Sequence, residues 1–307
     1  MAKTSVTIGI PVLNEGKTIK NLLETVLVQK EENFFLKEII VYSDGSTDNT
    51  VSEVKKVKDS RIKLIVGKKR KGKTVGYEKI FAAARGKIIV TLDGDILIRS
   101  RKVITELIKP ILEEENVGLV SGNSLPVVGK TFVEKAVNAS FAVYKHFRSL
   151  RDGDNVFACN GPILAFSQSF ARQVTFRKGI VADDHYLYFY AKSLGYGFRY
   201  AREAKVWYQS PSTLEDQVRQ SKRFLSGEQQ MREIFGEEAK REYQVPLTLR
   251  IKAKLIQAYH QPLESLGILF INSYCRLLIK SGQNEPRALW TISQTTKGGF
   301  QSAKANS

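Results

Sequence analysis

The run Ile88-Ile89-Val90-Thr91-Leu92 carries no charge and ends in Asp93-Gly94-Asp95. A stretch this short, apolar and rich in β-branched side chains fits a strand covered on both faces, the environment of a parallel sheet. Ligands of such sheets collect beyond the strands' carboxyl ends, so the two acids stand where a site should form. Neighbouring carboxylates repel and hold their protons more tightly unless a cation neutralises them. Hard oxygen donors with open positions suit Mg²⁺ or Mn²⁺ carrying a diphosphate. Asp-Gly-Asp is equally ordinary turn chemistry, in which case the acids only fold the chain back.

The preceding segments build the rest of that sheet. Val6, Ile8, Ile10 and Val12 alternate as a strand, with Pro11 near its end, where a missing N–H is tolerated. Asn14-Glu15-Gly16 breaks the pattern, and Ile19, Leu22, Leu23, Val26 and Leu27 follow at helical spacing. A second unit repeats this: Ile39–Tyr42 as strand, Ser43–Asp48 as loop, then a helix carrying Val51 and Val54, with Ser46 or Thr47 as its expected cap. Ile62, Leu64 and Val66 form a third strand. Five basic residues in positions 68–73 then lead into a helix whose inner face is Tyr77, Ile80, Phe81 and Ala84. Strands alternating with helices predict an α/β sandwich around a mostly parallel sheet, its loops 13–16, 43–48 and 93–95 at strand carboxyl ends.

Further on, Val103, Ile104, Leu107, Ile108, Ile111 and Leu112 predict a helix, and Val117–Ser121 a strand. Residues 131–148 read as a helix with Phe132, Ala136, Phe141 and Tyr144 inward. Asn160-Gly161-Pro162 is a turn in apolar surroundings. A helix from Asp183 to Leu194 closes at Gly195, and of its two leading acids one is expected to cap the helix while the other faces the cleft. A helix from Pro211 to about Phe235, capped by Ser212, has the stripe Leu214, Val218, Ser221 and Leu225, with Gln220, Arg223 and Phe224 on one face.

After Pro246 the pattern changes. Arg250, Lys252 and Lys254 alternate with Leu249, Ile251 and Leu255, and the mostly apolar Leu263–Ile279 is interrupted by Glu264, Asn272 and Arg276. It falls short of the roughly 18 uncharged residues of a spanning helix. Segment 246–280 reads equally as a layer in a bilayer interface or as a helical pair packed on the domain. The tail from Thr295 is small and polar.

With 42% hydrophobic residues in 307, the chain can bury a proper core. Cys159 and Cys275, far apart, exclude a disulfide framework and a cysteine zinc site and fit a reducing compartment; the N-terminus shows no secretory signal. A net charge of +17 makes polyanions the natural partners: nucleotide phosphates, nucleic acid or an anionic membrane. The spread of basic residues, without an RNA-binding aromatic signature or zinc-finger spacing, disfavours nucleic acid.

The order of motifs narrows this further. Pro11-Val12-Leu13-Asn14-Glu15, Asp44-Gly45-Ser46-Thr47-Asp48, Lys71-Gly72-Lys73, Asp93-Gly94-Asp95, Asp183-Asp184 and Gln220-Ser221-Lys222-Arg223-Phe224 together resemble the family 2 glycosyltransferases of GT-A fold. Within these the chain is most similar to the cellulose, chitin and hyaluronan synthase branch, without a transmembrane channel. The resemblance covers residues 5 to about 235 and implies a role for each motif. Pro11, Asn14 and Glu15 would line the nucleotide pocket, and Asp44 would accept hydrogen bonds from the base. Lys73 would lie near base or phosphates. Asp93 would face ribose and metal, Asp95 would ligate Mg²⁺ or Mn²⁺, and Asp184 would be the general base. Asn160, Gly161 and Asp183 would border the acceptor. Gln220, Arg223 and Phe224 match a Gln-x-x-Arg-Trp motif whose arginine approaches the diphosphate and whose ring helps form the acceptor site. Phe224 replaces the motif's tryptophan, and Ala182 and Asp183 stand where the family commonly has Thr and Glu. His185 reads as a supporting residue. Trp207 and Trp290 read as packing aromatics, Trp290 alternatively as part of a membrane-facing patch.

The expected layout is a nucleotide-sugar-binding half (1–122), an acceptor and catalytic-base half (123–240) and a helical extension (241–307). The expected function is metal-dependent, inverting transfer from a nucleoside diphosphate sugar, UDP-linked ahead of GDP-mannose. The acceptor would be a sugar, a growing polysaccharide or a lipid-linked hydroxyl or phosphate. The setting would be the cytoplasm, with peripheral contact to an anionic membrane. Two rivals stand beside it: a sugar-nucleotide nucleotidyltransferase, which has no use for Asp184 and Arg223, and a non-catalytic polyanion-binding protein.

Overall fold

The computed structural model describes residues 3–280 and Thr296. Strands and helices alternate first as β1 (Thr4–Val12), α1 (Ile19–Leu27), β2 (Phe34–Ser43), α2 (Thr50–Lys56), β3 (Ile62–Val66), α3 (Lys73–Ala83) and β4 (Ile88–Leu92). Then come α4 (Val103–Glu113), β5 (Val117–Pro126), α5 (Phe132–Arg148), β6 (Ile163–Ser167), α6 (Gln168–Ala171), α7 (Asp183–Ser193) and β7 (Gly197–Tyr208). Three helices follow, α8 (Leu214–Glu242), α9 (Leu247–His260) and α10 (Pro262–Lys280).

The seven strands form one sheet in the order β3-β2-β1-β4-β6-β5-β7. It is mostly parallel; β6 alone runs against its neighbours, β4 and β5. Every residue of β4 is buried, as its composition predicts. β1 lies next to it, and its pairing with β4 ends at Gly9 opposite Thr91, so Pro11 interrupts no bond on that side. The alternation in β1 does not mark a wet face, because Ser5 and Thr7 are buried too. Thr7 Oγ1 donates to Glu38 Oε1 (2.9 Å) and accepts from the Gly86 N–H (2.9 Å), which satisfies a polar pair inside the sandwich.

Two apolar layers sandwich the sheet. One, under α1 and α4, contains Leu22, Leu23, Ile104 and Leu107; the other, under α3, α6 and α7, contains Tyr77, Phe170, Tyr188 and Phe189. Tyr77, Ile80, Phe81 and Ala84 all point inward as expected, whereas Leu112 at the end of α4 is exposed.

Several local expectations are corrected. Asn49, not Ser46 or Thr47, precedes α2, because Ser46 and Thr47 bond to Asn14 instead. β5 runs on to Pro126 by pairing with β7, a strand not anticipated because Arg199, Arg202, Glu203 and Lys205 mask its alternation. The apolar residues after the 160–162 turn likewise form a strand, β6, rather than mere surroundings of that turn. In α5 the inner residues are Ala136, Ala139, Val143 and Phe147, while Phe132 and Tyr144 are exposed. That helix packs against α9 and α10 rather than against the sheet, which rotates its buried stripe. α8 starts later than expected: Thr213, not Ser212, caps it, accepting from the Asp216 N–H (3.3 Å). Leu214 and Val218 pack toward α10, but further along the buried residues are Gly227 and Met231 rather than Leu225. α10 lays Ile268, Ile271 and Cys275 on Ala136, so 246–280 does pack on the domain through one face. Trp290 and, Thr296 apart, the tail from Thr295 lie outside the described residues.

Candidate active site

Three strand-end loops are locked together. A Cβ on Gly94 would lie 2.8 Å from Val12 Cγ1 and 2.9 Å from Glu15 Cγ, so only glycine lets the β4 loop close on the β1 loop. Thr18 Oγ1 fastens the pair by donating to Gly94 O (2.7 Å). Asn14, at φ 56°, accepts from the Thr47 N–H (2.8 Å), and the Glu15 N–H donates to Thr50 Oγ1 (2.8 Å). Asp44 accepts from the N–H groups of Lys71 (2.8 Å) and Gly72 (2.7 Å), which holds the basic loop against the β2 end. Pro11 packs near Gly76 of α3, on the same side.

That basic loop ends by burying a lysine. Gly72, at φ 104°, turns the chain into α3, whose first residue, Lys73, sits over the Tyr77 ring. Lys73 Nζ lies 2.6 Å from Asp93 Oδ1 and 3.4 Å from Asp183 Oδ2. Burial favours the neutral amine, but Asp183 and Asp93 outweigh it and raise the Lys73 pKa well above its ordinary value. For Asp93, burial pushes the carboxyl up, Lys73 pulls it down and Asp95 pushes it up again, leaving it at about 6. Asp183 Oδ2 is buried and accepts no hydrogen bond; Lys73 is its counter-charge.

Among the described residues no group of three or more His, Cys, Asp or Glu is arranged to hold a metal ion. Asp93 and Asp95 instead form a pair of neighbouring carboxylates at the strand end; burial, above all, raises the Asp93 pKa against the pull of Lys73, and Asp95 adds to the rise. Such a pair matches Mg²⁺ or Mn²⁺, which bind through one or two carboxylates and complete their shell with substrate phosphates.

The raised Asp93 pKa has a measurable effect on stability. A carboxyl at about 6 in the fold and 3.8 otherwise stabilises the metal-free fold fully below about pH 4, and that contribution is lost as pH rises through about 6. Asp184 and Glu38 are shifted down and act in the opposite sense, losing their contribution only as pH falls below the ordinary carboxylate range. Thermal midpoints of metal-free Asp93→Asn, followed between about pH 4 and 6, should lack this wild-type loss. Parallel curves for the two proteins would contradict the assignment.

The second group of acids arrives from α7. Asp184 Oδ2 accepts from the Gly161 N–H (3.1 Å) and Oδ1 from its neighbour His185 (2.9 Å). Burial pushes this carboxyl up, but His185, Arg223 and Lys73 hold it below the usual range, so it is ionised at neutral pH. A Cβ on Gly161 would lie 3.3 Å from Lys73 Nζ, 3.5 Å from Asp184 Oδ2 and 3.8 Å from Asp183 Oδ2. The bare glycine therefore marks the point where ammonium and both acids meet. Asp183 and Asp184 both reach it; Ala182 stands at the N-cap position, and Asp184 both faces this point and accepts the first-turn backbone N–H of His185, so the expected division of labour between the two acids does not hold.

β6 and α8 make this convergence possible. The Asp93 N–H donates to Pro162 O (3.0 Å), which ties the 160–162 turn to the β4 end. Gly227 of α8 meets Ala182, where a Cβ would be 2.7 Å from the alanine methyl. Gln230 accepts from the Val181 N–H (3.0 Å) and donates to Gly179 O (2.9 Å). This close docking carries Arg223, one turn earlier, into the field of Asp184. Ala182, a departure from the family pattern, is thus the partner of a helix glycine. Arg223 also lies 5.6 Å from the exposed Phe224 ring, and Gln220 is half-buried nearby on α8.

Some supporting residues gave no sequence signal. Arg148 Nη2 donates to Asn160 Oδ1 (2.8 Å), and the Asn160 amide donates to the carbonyls of Phe157 (3.3 Å) and Ala158 (3.0 Å). The Asn160 side chain thus braces its own turn. Cys159 Sγ donates to Asp184 O (3.3 Å), and Tyr243 OH meets His185 Nδ1 (2.7 Å). Arg148 and Tyr243 are lone residues of helical stretches, with no spacing to distinguish them.

Comparison with known proteins agrees with the sequence motifs. Residues 7–175, more than half the chain, match the family model described as Glycosyl transferase family 2. A poly-β-1,6-N-acetyl-D-glucosamine synthase of Staphylococcus aureus is 25% identical over 231 residues, covering 73% of this chain and 55% of the synthase. Glycosyltransferase GlyG of Streptococcus pneumoniae is 25% identical over 120 residues, 38% of each chain. The chain thus spans only part of the length of these relatives. Among solved structures, the Pyrobaculum calidifontis mannosyltransferase PcManGT, in complex with GDP-mannose and Mn²⁺, superposes with a TM-score of 0.60 at 19% identity, over 93% of this chain and 78% of that one. The Mycobacterium tuberculosis glucosyl-3-phosphoglycerate synthase, with Mn²⁺, UDP and phosphoglyceric acid, gives 0.51 at 19%, over 73% and 78%. The shared fold is GT-A.

Proposed function

The chain belongs to glycosyl transferase family 2, and from that premise we propose that it transfers a sugar, with inversion, from a nucleoside diphosphate donor to an acceptor hydroxyl or phosphate. The observation that carries this reading is the meeting of Lys73, Asp183 and Asp184 at Gly161, with Asp93 paired to the same lysine at 2.6 Å. An inverting transfer needs a base on one side of the reacting carbon and a leaving-group cation on the other, and the shared contact of both acid groups with Lys73 supports assigning these tasks to Asp184 and to Asp93 with Asp95.

In this reading the loops bearing Pro11, Asn14, Glu15 and Asp44 hold the nucleotide. Asp93 and Asp95 hold the divalent ion, which when bound stabilises the charge of the departing diphosphate. Lys73 and Arg223 bind that diphosphate from the other side, the guanidinium through its planar fork. Asp184 takes the proton of the acceptor hydroxyl as its oxygen attacks the anomeric carbon. As the diphosphate draws Lys73 and Arg223 toward itself, the Asp184 pKa rises toward the range where a base is effective. Gly161 leaves room for the acceptor, with Asn160 positioning the turn, and Asp183, Gln220 and Phe224 border the acceptor side. UDP-linked donors come before GDP-mannose by motif resemblance, and a lipid-linked or sugar acceptor fits best. The two free cysteines, both buried, accord with a cytoplasmic setting.

The test is a panel of UDP- and GDP-sugars with Mn²⁺ or Mg²⁺, following nucleoside diphosphate release. One donor class should be consumed, EDTA should abolish release, and Mn²⁺ or Mg²⁺ should restore it. Release that persists in EDTA would contradict the metal assignment. Consumption of a sugar phosphate and nucleoside triphosphate, with pyrophosphate released, would favour the nucleotidyltransferase instead.

A further inference from the structure

The α9–α10 pair uses only one of its two faces inside the domain. α9 turns inward Leu249, Ala253 and Gln257, and α10 turns inward Ile268, Ile271 and Cys275. On the other side of α9, Leu247, Ile251, Leu255 and Tyr259 recur every four residues and are exposed, Tyr259 at 84%. On α10, Leu263, Leu266, Phe270, Tyr274 and Leu277 form a second exposed stripe at intervals of three and four, Phe270 at 68%. Single exposed apolar residues are normal, but two contiguous stripes on adjacent helices mark an interaction surface.

We propose that this outer face docks on the surface of an anionic lipid bilayer, lying in its interface rather than crossing it. Charge identifies the occupant. Residues 246–280 hold five Lys and Arg and a single acid, Glu264, within a chain of net charge +17. Arg250, Lys252 and Lys254 are exposed and flank the α9 stripe, where long basic side chains can reach headgroups while their stems lie along acyl chains. A second copy of this chain docked on the same face would bring these cations against their equivalents. Residues 281–307 offer only Leu289, Trp290, Ile292 and Phe300 as large apolar side chains, too few to cover nine. No helix among the described residues is long and apolar enough to cross a membrane.

The surface also bears on how the site faces the bilayer. α10 packs toward Leu214 and Val218 of α8, the helix that carries Arg223. Docking therefore sets the orientation of that helix relative to the bilayer.

The test is flotation of the full chain with vesicles of phosphatidylcholine alone and of phosphatidylcholine with phosphatidylglycerol, without donor or metal. The wild type should float with the anionic vesicles, and high salt should weaken this. Lys252→Glu with Lys254→Glu should weaken it about tenfold or more. Leu266→Glu with Phe270→Glu should remove it, while thermal midpoint and nucleoside diphosphate release stay at wild-type values, because both side chains are solvent-exposed. Wild-type protein that stays at the bottom of the gradient would overturn the proposal. So would a wild-type dimer in light scattering that the Leu266/Phe270 variant makes monomeric without any vesicle binding in either protein. Wild-type protein that floats with anionic vesicles yet releases no diphosphate from any donor would support docking and count against the transferase reading.

Discussion

Asp184→Asn is expected to lower kcat by roughly 10²–10⁴-fold, the usual worth of a positioned acid or base. The substitution keeps the size of the side chain and one oxygen to accept from Gly161 or His185, so the turn at 160–162 should stay in place. It removes only the charge and the capacity to take a proton. Donor and metal affinity should remain, because Asp93, Asp95 and Lys73 are untouched. The loss should therefore appear in kcat and be absent from nucleotide binding, measured by single-turnover kinetics beside a titration of the nucleotide. A nucleotidyltransferase would retain its activity in this variant, since it has no acceptor hydroxyl for Asp184 to deprotonate.

Lys73→Met should have the largest effect on stability. Lys73 is the shared counter-charge of Asp93 and Asp183, with its side chain 5% exposed. Removing one partner of a buried ion pair leaves the other uncompensated and costs about 3–5 kcal/mol. At about 2–4 °C per kcal/mol for a domain of this order of size, the thermal midpoint should drop by roughly 10 °C. Mn²⁺ with a nucleoside diphosphate should restore part of the loss in Lys73→Met, because the ion supplies positive charge at the Asp93–Asp95 edge. Differential scanning fluorimetry with and without both ligands measures this. An unchanged midpoint, or a drop that Mn²⁺ and nucleotide leave untouched, would show that the acids are not held together by charge.

The parts of the fold that depend on local periodicity were readable from residues alone. The β-branched run of β4, the inner face of α3 and the glycine after α7 each follow from spacing and from backbone preference. The sheet's second half was not readable in the same way. β6 pairs antiparallel with β4 and β5, a non-local choice that no pattern within Ile163–Ser167 specifies, and it is this strand that brings Pro162 to Asp93. The site shows the same division. Asp93 and Asp95 announce themselves as a pair at a strand end, while the burial of Lys73 depends on a turn at Gly72 and on acids from α7. The loop's other cations gave no hint that its last lysine would be taken inside. The apolar stripe of α8 does not continue beyond Val218, because Gly227 is buried for its smallness, against Ala182, and not for its hydrophobicity.

On the proposed reading, the acids that follow β4 and those that open α7 serve one transfer centre with separate tasks. Calorimetric titration of Mn²⁺ and nucleoside diphosphate into Asp95→Asn and Asp184→Asn, each also assayed for turnover, tests it most directly. Binding should be lost in Asp95→Asn and preserved in Asp184→Asn, with turnover lost in both. Metal-nucleotide binding of wild-type strength in Asp95→Asn, or full turnover in Asp184→Asn, would contradict it.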